Sequence, residues 1–262
     1  LQHNRYLNEE NAMKSNVPSA QSDSIIKRLA RNRGLQGFGV VLTLALALGG
    51  LQPVFAAEDA VKIPAPTVDQ TVAANATQES IVLAGGCFWG VQAVFQHTAG
   101  VTSAVSGYAG GAKDTAQYET VSSGSTGHAE SVKITYDPHK VTLGKLLQIY
   151  FSVVQDPTQL NRQGPDSGTQ YRSAIFYKTD DQKRIATSYI AQLDAAKVYP
   201  ARIVTQVVPD TGFYAAEDYH QDFATVHPTQ GYIARFDLPK LDNFKRMFPT
   251  DYRVAAVTVF KH

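Results

Sequence analysis

The run Gly85-Gly86-Cys87-Phe88-Trp89-Gly90 holds the only cysteine among 262 residues. It follows the apolar stretch Ile81-Val82-Leu83-Ala84, and four such residues closed by Gly-Gly predict a short buried strand and a tight turn. Phe88, Val91, Val94 and Phe95 then share one face at helical spacing. Cys87 is therefore expected at the first turn of a helix, at the C-terminal edge of a sheet. Unpaired backbone N–H groups and the positive helix end favour a thiolate there, the form in which a cysteine attacks. Inert packing stands beside that reading, because a free cysteine is among the most buried residue types.

Glu130 offers the matching acid. It has the same strand parity as Val132, Ile134 and Tyr136 and should face the core. A carboxyl there is expensive unless paired or protonated, and burial that keeps it protonated at neutral pH makes it a proton donor. The plainer alternative is a solvated strand end, or a Glu130 paired with Lys133 or Arg172.

Two other functions fit parts of the pattern. His128 or His220 could activate Cys87 in an acyl-transfer or hydrolase site, although no local cysteine-protease signature is present. His220 and His227 lack a third ligand at metal spacing and read as structural. Alternatively, Phe88 and Trp89 could serve a non-catalytic exported module that binds an apolar ligand or peptide. A single cysteine leaves no disulfide within the chain and no Cys-based zinc site, and no metal is expected. The net charge of +1, with no basic stripe, gives no reason to expect nucleic acid.

The elements that must hold these residues alternate from residue 79 onward. Strands are expected near 79–84, 101–108, 129–136, 172–177 and 202–208. Helices are expected near 87–97, through Leu143, Leu146, Leu147, Tyr150, Phe151 and Val154, and through Ile185, Tyr189, Leu193 and Ala196. The order gives an α+β protein, a ferredoxin-like α/β sandwich with long Gly-rich active-site loops and a C-terminal extension. No internal repeat or second core is visible, so 79–262 is expected to be one domain. The polar connections 109–128 and 156–171 are too long for simple links and are read as wrapping a site, with Tyr118 and Tyr171 packing inward.

Ahead of the domain, Lys27, Arg28, Arg31 and Arg33 precede an apolar run from Phe38 to Leu51, and Val54-Phe55-Ala56 follows. That order is a secretory leader over residues 1–56, with a small-residue cleavage site. An uncleaved membrane anchor is the other reading, since Leu35 to Ala56 is just long enough to span a bilayer. Either delivers the domain outside the cytoplasm, in the periplasm if cleaved. The chain opens on Leu, and Met13 is read as the start. Residues 57–78, with Pro64-Ala65-Pro66, read as a flexible linker.

Taken together, the motifs resemble those of peptide methionine sulfoxide reductases of the A class. They are Gly86-Cys87-Phe88-Trp89-Gly90, Gly127-His128-Ala129-Glu130, Asp137-Pro138, Asp156-Pro157-Thr158, Gln163-Gly164-Pro165-Asp166, Gly168-Thr169-Gln170-Tyr171-Arg172-Ser173 and Ala216-Glu217-Asp218-Tyr219-His220-Gln221. Their order over residues 80–250 makes the resemblance specific. It implies thiol-dependent reduction of methionine S-sulfoxide, free or in proteins. Cys87 would attack the sulfoxide sulfur, and Glu130 would protonate the oxygen, assisted by the hydroxyls of Tyr118 and Tyr171. Phe88 and Trp89 would hold the substrate methyl group, and Asp166 would position substrate or reductant.

Those implied roles suit the chemistry, because a sulfoxide oxygen leaves poorly until it is protonated. The product on Cys87 would be a sulfenic acid, on the reversible part of the oxidation ladder. Many members of the family carry a further cysteine that resolves the sulfenic acid. Here Ser122 stands in the loop where one is expected, and Gly231–His262 contains none. The resemblance therefore implies a one-cysteine form with no bound cofactor. An external thiol, such as thioredoxin or a glutaredoxin-like protein, would serve as reductant. A monomer that repairs oxidised exported proteins is expected.

Overall fold

The computed structural model describes residues 59–262, so the leader expected over 1–56 lies outside the described residues. Strand β1 (Glu79–Gly85) leads through Cys87 into helix α1 (Phe88–Gln96), and β2 (Val101–Ala109) follows. After the short helix α2 (Tyr118–Val121) come β3 (Ala129–Tyr136) and α3 (Leu143–Ile149), which runs on as a π turn through Tyr150–Val154. A small hairpin, β4 (Arg162–Gln163) and β5 (Asp166–Ser167), precedes a 3-10 turn at Thr169–Tyr171 and then β6 (Ser173–Tyr177). The rest is α4 (Asp180–Ala195), β7 (Gln206–Pro209), β8 (Phe213–Ala215), a 3-10 turn at Asp218–His220, α5 (Phe223–Val226), a π turn at Ile233–Asp237 and α6 (Leu238–Met247).

The six-stranded sheet runs β7-β6-β1-β3-β2-β8. Its inner part, β6-β1-β3-β2, is antiparallel throughout and has the strand order that a β-α-β-β-α-β chain takes in a ferredoxin-like sandwich. β7 joins β6 in parallel and β8 joins β2 antiparallel. The mixed α/β architecture thus follows the expected α+β class.

Strand alternation divides the core in two. Ile81, Leu83, Val132, Ile134 and Tyr136 face Phe88, Val91, Val94, Phe95, Leu146 and Leu147 of α1 and α3. Val82, Ala84, Ala129, Ala174 and Phe176 pack together on the other face. β1 is buried on both faces, which explains its unbroken apolar run. Thr142 and Thr179 cap α3 and α4, accepting from the amides of Lys145 and Gln182 at 3.2 Å each.

Two expectations need correction. The strand expected from 202 begins only at Gln206, because the preceding backbone bonds elsewhere. The Ile203 amide goes to Asp194 Oδ1 (3.1 Å) and the Val204 amide to the Pro157 carbonyl (2.8 Å). The segment read as a flexible linker, described from residue 59, is laid on the domain. Ile63 is buried, and the Pro64 carbonyl accepts from the Tyr189 hydroxyl at 2.7 Å. Asp69 accepts from the Gly144 amide at the start of α3 (2.8 Å). Proline-rich backbone cannot pair as a strand, so helix side chains satisfy its carbonyls.

Candidate active site

β1 ends at Gly85, and the turn to α1 passes through Gly86 at φ +85°, a left-handed conformation natural to glycine. A Cβ at Gly86 would lie 2.5 Å from Cβ of Gln163, so the turn also needs glycine for space. Cys87 is the N-cap residue of α1 and is 8% exposed. The first turn of the helix meets both reactive groups: Cys87 stands at the cap without a side-chain hydrogen bond, and the Phe88 amide donates to Oε2 of Glu130 at 3.0 Å. Glu130 is 4% exposed and faces the core as its parity predicts. Arg172 is not its partner: the guanidinium donates to the backbone carbonyls of Gly127, His128 and Thr169.

Burial dominates the electrostatics. It pushes the Glu130 carboxyl up to about 8 against the opposing Phe88 amide, with Asp166 and Asp237 adding to the rise. The Cys87 thiol is also pushed well up, first by burial and then by the charges of Asp237, Glu130 and Asp166. These outweigh the start of α1, so the helix terminus does not yield the resting thiolate expected from sequence. At neutral pH the site holds a protonated thiol beside a protonated acid. Such a pair, away from water, can hand a proton to an oxygen atom while sulfur attacks the atom that bears it.

The two long loops bring in the remaining candidates and are tied to each other. Thr169 Oγ1 donates to the Gly124 carbonyl (2.6 Å) and Gln170 Nε2 to that of Ser122 (3.2 Å). Tyr171 lies among Glu130, Asp166, Cys87 and Tyr118, and burial foremost, then these neighbours, keeps its hydroxyl protonated. Tyr118 is set by Glu217, which accepts from its amide at 2.9 Å and from the Tyr108 hydroxyl at 2.8 Å. Asp166, on the β4–β5 hairpin, accepts from the Tyr232 hydroxyl, and burial raises its pKa.

An aromatic wall stands beside the thiol. Trp89 stacks on Phe223 at 4.1 Å and meets Tyr232 edge-on at 6.2 Å. Its Nε1 donates to Nδ1 of His220 (3.3 Å), which puts the His220 ring proton on Nε2. Burial lowers the His220 pKa to about 4, so the ring is neutral, and it packs 4.4 Å from Tyr118 and 5.1 Å from Phe88. The Cys–His alternative loses its geometry. His128 has both ring nitrogens on backbone, with the Gly111 amide and the Ala112 carbonyl, while His220 supports Trp89. Among the described residues no group of three or more His, Cys, Asp or Glu could hold a metal ion.

Sequence reading thus named Cys87, Glu130, Tyr118, Tyr171, Phe88, Trp89 and Asp166, and the fold gathers all seven at one end of the sheet. It missed four residues of the same site. Glu217 lay in a motif already noted but carried no role, and His220 in the same motif was weighed only as a base for Cys87 or as a structural residue. Tyr232 had no signal at all. Asp237, two residues before Pro239, reads as an ordinary helix cap.

Comparison with known proteins points to one family. The family model for peptide methionine sulfoxide reductase matches residues 79–252. A relative from Mesorhizobium japonicum, named peptide methionine sulfoxide reductase MsrA 2, is 65% identical over 181 residues, covering 69% of this chain and 93% of its own. A protein of the same name from Synechocystis sp. is 48% identical over 188 residues, 71% of this chain and 88% of its own. Among solved structures, Mxr1 from Saccharomyces cerevisiae in reduced form superposes with a TM-score of 0.54 at 32% identity, over 62% of this chain and 91% of that one. Methionine sulfoxide reductase A of Corynebacterium diphtheriae gives 0.51 at 34% identity, over 65% and 85%.

Proposed function

The chain belongs to the peptide methionine sulfoxide reductase family, and from that premise we propose that it reduces methionine S-sulfoxide, free or in proteins, through Cys87. The observation that carries this reading is the buried Glu130 carboxyl, held by the Phe88 amide at 3.0 Å and pushed up to about 8 beside a buried thiol. A nucleophile alone could not expel a sulfoxide oxygen; a neutral acid beside it supplies the missing proton.

The substrate methyl group rests against Phe88 and Trp89, which turns the sulfoxide oxygen toward Glu130 and the hydroxyls of Tyr118 and Tyr171. Sulfur of Cys87 attacks the sulfoxide sulfur as Glu130 protonates the oxygen, and the proton released by the thiol restores the acid. The sulfur–sulfur bond so formed then breaks as the protonated oxygen moves from the substrate sulfur to that of Cys87, giving a sulfenic acid and methionine: the thiol is oxidised by two electrons and the sulfoxide reduced by two. With no second cysteine in these 262 residues, two external thiol equivalents return Cys87 to the thiol, releasing a disulfide and water. A thioredoxin-like protein suits that role, and Asp166 at the edge of the site helps to seat substrate or reductant. With the leader over residues 1–56, the enzyme works outside the cytoplasm on oxidised exported proteins.

The test is an assay with the separated sulfoxide epimers of a blocked methionine and a dithiol reductant. The S epimer is reduced and the R epimer is not. Turnover of the R epimer, or hydrolysis of an ester substrate without added thiol, would overturn the proposal.

A further inference from the structure

Asp237 is fully buried, and neither of its carboxylate oxygens makes a hydrogen bond. It closes the π turn at 233–237, and its helical backbone runs straight into α6 with proline in the first turn, where a carboxyl could still accept from the helix ahead of it. The side chain makes no such bond and is directed at α1 instead. A Cβ added to Gly90 would lie 2.1 Å from Asp237 Oδ1. Only glycine at the fourth position of Cys87-Phe88-Trp89-Gly90 admits the carboxylate to the first turn of the helix that carries the thiol. Its nearest cation is the nearly buried Lys240, with Nζ 3.6 Å from Oδ1. The same segment sends Tyr232 to Asp166 and Trp89, so the π turn at 233–237 grips both sides of the reactive turn.

We propose that Asp237, clasped by Lys240, is a positioning residue of the reduction site that acts through Cys87 and governs how readily the thiol releases its proton. The groups facing that thiol are Glu130 from β3, Asp166 from β5, Tyr171, Tyr232, Asp237 and, behind it, Lys240. Asp237 is the foremost of the charges that hold the thiol up, and its own carboxyl, raised to about 6 mainly by burial, is ionised at neutral pH. A lone carboxylate near a buried sulfur resists a second negative charge, and Lys240 offsets part of that resistance. The resting thiol is thereby kept protonated and less open to adventitious oxidants until substrate arrives.

The inference rests on the reductase reading only in calling this a reduction site. Its test does not, because it reads thiol ionisation and not turnover. With one cysteine in the chain, the pH dependence of alkylation by iodoacetamide reports Cys87 alone. Asp237→Asn keeps the shape and removes the charge. Its alkylation rate at pH 7 rises roughly tenfold over the parent, with the inflection moved to lower pH. Lys240→Met, measured above pH 8 where Asp237 is ionised, moves the inflection the other way. Lys240→Arg keeps the parent profile. A folded Asp237→Asn with an unchanged inflection, or both charge-removing variants moving the same way, would overturn the proposal. If Asp237→Asn does not fold, the direction of shift in Lys240→Met decides alone. Failure of the parent to reduce either epimer would instead strike the reductase reading and leave this result standing.

Discussion

Cys87→Ser is expected to fold as the parent does and to form no methionine from sulfoxide above the reagent blank. The side chain is small and buried, makes no cap hydrogen bond to its helix, and is replaced by one of nearly the same shape. The backbone turn at Gly86 and the start of α1 therefore need not move. What is lost is the nucleophile, since a hydroxyl in the same place is a far weaker one and cannot carry the transferred oxygen as a sulfenic acid. No other thiol in these 262 residues can take over. Turnover is measured as methionine released in the presence of dithiol, with circular dichroism to confirm folding. Retained methionine formation in the folded variant would remove Cys87 as the nucleophile.

Glu130→Gln is the second large effect, a fall in rate of roughly 10²- to 10⁴-fold, the usual contribution of a general acid. The amide oxygen can still accept from the Phe88 amide, so the variant preserves the geometry and removes the transferable proton. The pH dependence carries the sign. Glu130 is active as the neutral acid, and burial lifts its carboxyl to about 8. The parent rate should hold through neutrality and decline as pH rises through about 8, and that alkaline limb should vanish in Glu130→Gln. A near-parent rate in the variant would remove the acid role while leaving Cys87 in place.

Much of this was legible in the residues. The alternation of Glu130 with Val132, Ile134 and Tyr136 predicted its burial because strand parity is local and rigid, and the same holds for the α1 face built on Phe88, Val91, Val94 and Phe95. The strand order was accessible too, since β-α-β-β-α-β has few ways to close a sheet. Charge balance was not accessible. The start of α1 suggested a stabilised thiolate, but Asp166 and Asp237 act on Cys87 from segments 79 and 150 residues further along the chain; a motif marked Asp166 without its effect on the thiol, and no local pattern marked Asp237. Asp237 in particular reads as a cap, and its turn toward Gly90 emerges only from the packing of the 233–247 segment on α1. The linker reading failed for a related reason. Composition marks proline-rich segments as unable to form regular structure, which says nothing about whether helix side chains will bind their carbonyls.

The central claim is that oxygen passes from the sulfoxide to Cys87 and waits there for an external thiol. It is tested most directly by one turnover without reductant: enzyme mixed with an equivalent of the S epimer, followed by intact-mass analysis and by mapping of the Cys87 peptide. The predicted result is one methionine formed per chain and one oxygen gained on Cys87, reversed by added dithiol. Methionine formed while Cys87 remains an unmodified thiol would contradict it.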